Sequence, residues 1–180
     1  MTKKTRKPPT KLAPAAPIAG TLTKADIPKL AGGKGANAPQ MASPTYRLAA
    51  LDQEYILSDS QRGLRFMLEY NKAEEALDRW GVRSTIVVFG SARFSEKGPA
   101  DHRRWYNDAR RFAQIVSEKG GAKIRNSHPR DNVIATGGGP GIMEAANRGA
   151  HDVGAPSIGY NITLPMEQEP NAFSTPDLTL

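Results

Sequence analysis

The stretch Val133-Ile134-Ala135-Thr136 runs straight into Gly137-Gly138-Gly139-Pro140-Gly141 and then into Ile142-Met143-Glu144, and this junction constrains the fold more than any other part of the chain. A short apolar, β-branched run closed by glycine reads as a strand buried on both faces. A buried strand that passes directly into a helix is the unit of a parallel sheet, because parallel neighbours need a crossover between them. A second such unit lies upstream, where Thr85-Ile86-Val87-Val88-Phe89 reaches Gly90-Ser91-Ala92-Arg93.

Helical patterns separate the strands. Beyond the capping residues Ser58-Asp59-Ser60, the residues Leu64, Phe66, Met67, Leu68, Tyr70, Ala73, Leu77 and Trp80 recur at helical spacing until Gly81. Residues 101–118 predict a second helix, with Asp101 as its cap and Trp105, Ala109, Phe112, Ala113 and Val116 on one face. A third helix is expected from Ile142 to His151, and Pro156–Ile162 is the third strand. The order α-β-α-β-α-β predicts an α/β protein with a Rossmann-like, doubly wound parallel sheet and right-handed crossovers. The sheet is expected to be incomplete at its C-terminus, with a polar, extended end at Leu180 and an unpaired edge on the last strand.

Charge and composition divide the chain. Residues 1–47 carry nine Lys/Arg against Asp26 alone, whereas the rest carries 16 basic and 17 acidic groups. The pI near 9.8 therefore belongs to an appendage and does not indicate a nucleic-acid-reading face. Six of the fourteen prolines fall before Ser43, where large apolar residues are scarce. Such a segment cannot bury enough surface to offset its ordering entropy, so residues 1–45 are expected to be a disordered basic leader and 46–180 the start of a nucleotide-binding domain. Cysteine is absent, which excludes disulfides and thiolate chemistry. No apolar run is long enough to span a bilayer, and a cytoplasmic protein without membrane partners is expected. His102, His128 and His151 lie apart without ligand spacing, so no metal site is expected.

In a doubly wound sheet ligands bind at the carboxyl ends of the strands, which makes the two strand-to-helix turns the candidate site. Gly90, Ser91 and Arg93 combine open backbone, a hydroxyl and a permanent positive charge. Gly137, Gly138, Gly139 and Gly141 expose backbone N–H groups at a helix N-terminus, where an anion is favoured. The loop fits neither the dinucleotide G-x-G-x-x-G pattern nor the Walker pattern. Met143 packs under the loop, Glu144 stands in the first helical turn, and Glu167 and Glu169 lie just past the third strand, within reach of a ligand held by the glycines.

Read together, Val88-Phe89-Gly90-Ser91-Ala92-Arg93, the segment Thr136-Gly137-Gly138-Gly139-Pro140-Gly141-Ile142-Met143-Glu144-Ala145-Ala146-Asn147-Arg148-Gly149-Ala150, the segment Ser157-Ile158-Gly159-Tyr160-Asn161-Ile162, and Leu164-Pro165-Met166-Glu167-Gln168-Glu169-Pro170-Asn171 resemble the Lonely Guy family, often mislabelled lysine decarboxylases. The resemblance covers roughly residues 60–180. It implies a Rossmann-like, usually homodimeric protein without a redox cofactor. Such a protein hydrolyses the N-glycosidic bond of nucleoside 5′-monophosphates, AMP or a cytokinin riboside monophosphate, to free base and ribose 5-phosphate. It also implies that Gly90 and Ser91 border the nucleotide, that Gly137, Gly138 and Gly139 line its pocket, and that Glu167 or Glu169 is the acidic contact.

The family's catalytic signature, Pro-Gly-Gly-x-Gly-Thr-x-x-Glu, does not occur in these residues. None of the Gly-Gly pairs at 32–33, 120–121 or 137–139 is followed by Gly-Thr and a glutamate. Glycosidic cleavage needs a carboxylate to stabilise an oxocarbenium-like centre or to activate water. The expectation is the amino-terminal half of such a hydrolase, with no catalytic residue identified. The alternatives are a non-catalytic nucleotide or alarmone binding module, and an inactive truncated product.

Overall fold

The computed structural model describes residues 35–123, 129–162 and 169–180. The chain divides into two compact units, Met1–Gln61 and Arg62–Leu180. Residues 46–61, expected to open the nucleotide-binding domain, thus group with the first unit. Residues 1–34 of the expected leader lie outside the described residues. Its last part is not unstructured: a short helix, α1, covers Ala38–Ala42 with a proline in its first turn. A second, α2 (Gln53–Leu57), begins where the Asp52 carboxylate accepts a hydrogen bond from the Tyr55 N–H. Neither is long enough to carry a readable apolar period.

The second unit is α/β and Rossmann-like. Its elements are α3 (Arg62–Trp80), β1 (Thr85–Val87), α4 (Ala100–Lys119), β2 (Val133–Thr136), α5 (Ile142–Asp152) and β3 (Ser157–Gly159). The three strands are parallel and lie in the order β1-β2-β3. Because the sheet grows in one direction, crossovers of one hand set α4 and α5 on the same side, where the two helices pack against each other. The register puts Ile86, Ile134 and Ser157 in one row and Val87, Ala135 and Ile158 in the next, which faces the opposite way. The first row belongs to α5, since Asn147 on that helix donates to the Ser157 hydroxyl at 3.0 Å.

The core gathers Val133, Ile134, Ala135 and Ile158 with Ala113, Ala146, Ala150, Leu178 and the α3 residue Ala76. Its alanines let the helices come close. At Gly149 a β-carbon would strike the Arg110 carbonyl and lie 2.8 Å from the Ala113 side chain, so glycine sets the distance between α4 and α5.

Several expectations change. β1 is an edge strand among the described residues, with Thr85 and Val87 exposed, because β2 alone pairs with it. A β-branched run does not distinguish an edge from a centre. The buried face of α4 is Tyr106, Ala113 and Ser117, while Trp105 and Phe112 are about half exposed. That helix carries two apolar stripes, and the one that fits against Gly149 is buried. Its N-cap is Pro99, and Asp101 stands in the first turn instead. The last strand's edge is not left bare. The Thr175 N–H donates to the Ser157 carbonyl, the Leu180 N–H to Gly159, and the Asn161 N–H to Leu180. Far from being extended and polar, this end folds as a 3-10 turn, Pro176–Leu178, that buries Leu178 fully.

Gly149→Ala separates local preference from packing. Helix propensity alone would add about 1 kcal/mol of stability, whereas the crowding of Arg110 and Ala113 predicts a net loss of about 1–2 kcal/mol. A lower urea midpoint is the expected result.

Candidate functional site

The two strand-to-helix turns meet at the carboxyl edge of the sheet. The Ser91 carbonyl accepts a hydrogen bond from the Ile142 N–H at 3.2 Å, joining the end of the first turn to the start of α5. Gly141 permits this approach. Its φ of 77° is left-handed, and a β-carbon there would run into the Ser91 carbonyl and the Ala92 backbone. Gly90 is likewise filled from within, because a β-carbon would overlap the Ile142 side chain. Of the first turn's polar groups, the Ser91 hydroxyl accepts from the Arg93 N–H at 3.2 Å. The exposed Arg93 guanidinium has no hydrogen-bond or ion-pair partner among the described residues.

Behind the second turn stands a group of amides that sequence reasoning did not single out. Asn147 is fully buried on α5. Its carboxamide accepts from the Thr136 hydroxyl at 2.7 Å and donates to the Ser157 hydroxyl and the Ile158 carbonyl, so one side chain ties α5 to both β2 and β3. Asn171 completes the group. Its side-chain amide donates to the carbonyls of Gly138 at 2.9 Å and Gly139 at 3.2 Å and to Asn147 Oδ1 at 3.0 Å. Its own N–H also reaches the Gly138 carbonyl, at 2.8 Å. Asn161, two residues past the third strand, presses on the turn: a β-carbon on Gly138, whose φ is 69°, would collide with its carboxamide.

This arrangement orients the turn's donors. A trans peptide points its C=O and N–H in opposite directions, and the described chain has no cis bond. With the Gly138 carbonyl held by Asn171, the Gly139 N–H faces away from Asn171. Two donors are used internally, Gly138 by the Thr136 hydroxyl and Ile142 by Ser91. Among the described residues no acceptor meets the N–H of Gly139, Gly141 or Met143, and α5 has no side-chain cap. Donors that meet no acceptor among the described residues, at the positive end of a helix, suit a negative charge.

The other candidates are spread around this turn. Met143 lies against Gly137, with its sulfur 3.2 Å from where a β-carbon would sit. Glu144 turns to α4, where its carboxylate accepts from the Tyr106 hydroxyl at 2.8 Å. Tyr106 in turn contacts Arg148, and Arg148 pairs with Glu96 at 2.6 Å. Burial first, and Glu144 among the neighbouring groups, raises the Tyr106 phenol above its usual value, while the Arg148 hydrogen bond holds Glu96 below the ordinary carboxylate range. Glu169 is exposed two residues before Asn171 and has no partner among the described residues. Glu167 lies outside them. Asn147 and Asn171 sit within quoted motifs, but a buried carboxamide gives no sequence signal separable from a solvated one.

No protein-family profile matches the chain, and no curated protein matches it. Among the described residues no helix is long and apolar enough to cross a membrane, and no group of three His, Cys, Asp or Glu is placed to hold a metal ion.

Asn171→Asp tests the clamp. A carboxylate facing three carbonyl oxygens is disfavoured, so its folded pKa rises above the unfolded value near 4. At pH 7 the variant should lose about 2–3 kcal/mol relative to wild type. The protonated side chain can donate again, so this deficit is full above the raised pKa and shrinks as the pH falls through it. Thermal melts of both proteins between neutral and mildly acidic pH check the sign.

Proposed function

We propose that this chain binds a nucleoside 5′-monophosphate at the carboxyl edge of its sheet, with the phosphate on the amides of Gly139, Gly141 and Met143 and the exposed Arg93 of the neighbouring turn adding positive charge. The observation that carries the reading is the set of N–H groups that meet no acceptor among the described residues at an uncapped helix start, with the Gly139 N–H turned away from Asn171 because Asn171 holds the Gly138 carbonyl. The fold supports it, since ligands of parallel α/β sheets bind outside the carboxyl ends of the strands. The resemblance to the Lonely Guy family supplies the ligand class.

The same resemblance suggests hydrolysis of the N-glycosidic bond, but the described site supports binding better than turnover. Glycosidic cleavage needs a carboxylate at the sugar. Glu144 is the carboxylate nearest the amides in sequence, and it is engaged by Tyr106. The reading is therefore a nucleotide-binding module in which these residues hold the ligand without cleaving it.

Titration calorimetry with AMP, followed by chromatography of the same mixture for adenine, tests both halves. Saturable binding with no adenine is expected. Absence of binding would overturn the nucleotide reading, and steady adenine release would overturn the assignment of a non-catalytic site.

A further inference from the structure

Phe89 stands two residues beyond Val87, the last residue of the edge strand. Past the ends of the strands, Phe89 and Tyr160 both come near Gly137, whose β-carbon would lie 3.8 Å from the Tyr160 carbonyl. Gly137 is the bare position between two aromatic residues. A β-carbon there would lie 3.5 Å from the Phe89 ring and 3.2 Å from the Met143 sulfur, so the ring and the first turn of α5 flank the same point. The phenylalanine is nonetheless 73% exposed.

An exposed aromatic ring is unremarkable on its own. Here it stands at the sheet edge where ligands bind and beside a methionine whose N–H is one of the free donors. Its exposed apolar neighbours are Val87, 59% exposed on the edge strand, and Tyr160, 40% exposed. Polar Thr85 lies beyond Val87 on the same strand, exposed Ser91 and Arg93 follow it in sequence, and Tyr160 is close enough to Glu74 for that carboxylate, after burial, to raise its phenol. An exposed ring beside Val87 and Tyr160, followed in sequence by Ser91 and Arg93 and adjoining a turn whose N–H groups meet no acceptor among the described residues, fits a planar heterocycle attached to a phosphate.

We infer that Phe89 is the platform on which the base of the bound nucleotide stacks, with Gly137 kept bare so that ring and base can lie close to the turn. This inference rests on the proposed nucleotide binding and adds the part of the ligand that distinguishes a nucleotide from a sugar phosphate. Stacking on aromatic side chains tolerates any base, because every base has a π-face.

The test compares AMP with ribose 5-phosphate, which lacks the base, by titration calorimetry on the full chain and its Phe89→Ala and Phe89→Trp variants. Wild type should prefer AMP. Phe89→Ala should weaken AMP about tenfold or more while leaving ribose 5-phosphate unchanged, and Phe89→Trp should restore AMP binding. Because the residue is exposed, thermal melts of both variants should match wild type. AMP affinity within twofold of wild type in Phe89→Ala would overturn the inference, as would equal weakening of both ligands. So would a shift in sedimentation from dimer to monomer with AMP affinity unchanged, which would make Phe89 an interface residue. Failure of wild type itself to bind AMP would remove the nucleotide reading, which separates that failure from a failure of stacking alone.

Discussion

The carboxamide of Asn147 sits where two strands, a helix and the 169–180 segment converge. It is fully buried, and its oxygen and nitrogen are both engaged: by the Thr136 hydroxyl, Ser157, the Ile158 carbonyl and the Asn171 amide. A buried polar group is tolerated when every donor and acceptor is met, and the cost of leaving one unmet is what makes such a network specific. Through these bonds α5 cannot slide along β2 without breaking its ties to β3, and the turn between β2 and α5 inherits that rigidity. Asn171 extends it by holding the carbonyls of Gly138 and Gly139.

The two sides of the turn therefore divide the labour. The carbonyls of Gly138 and Gly139 point back into the amide cluster, which turns the Gly139 N–H away from it, and the donors of Gly139, Gly141 and Met143 meet no acceptor among the described residues. On the proposed reading, a phosphate would meet a turn organised before it arrives, and binding would not have to order a glycine-rich loop, the entropic cost that four glycines would otherwise carry. The glycines themselves have mixed duties. Gly90, Gly138 and Gly141 are tight because Ile142, Asn161 and Ser91 occupy the space a side chain would need. The diversion of Glu144 to Tyr106 fits the same picture, since it draws a negative charge on the first helical turn toward α4.

The sheet was legible because its central strand is encoded redundantly: Val133–Thr136 is apolar, β-branched and closed by glycine, and it forms within those bounds. The crossover helices were legible from period and terminators, with Ile142–Asp152 within one residue of expectation. The faces were harder. On α4, Trp105 and Phe112 outrank Tyr106 and Ser117 in hydrophobicity, yet the smaller and more polar stripe is buried, because the fit to Gly149 and a hydroxyl partner for Tyr106 decide the matter and neither is visible along one helix. The edge of the third strand was misjudged for a related reason: Thr175 and Leu180 pair with it through backbone groups, which any sequence possesses. At the site, the glycines announced themselves and the asparagines did not, since a carboxamide 24 residues from its partner leaves no local pattern.

The central claim is that particular amides of the second turn meet a phosphate. Backbone amide resonances of the ¹⁵N-labelled chain, followed during addition of AMP, address it directly. Saturable shifts at Gly139, Gly141 and Met143 are expected, with a smaller response at Gly138, whose donor is already bound to Thr136. Resonances of these three residues that stay fixed while AMP saturates shifts elsewhere in the chain would contradict the account.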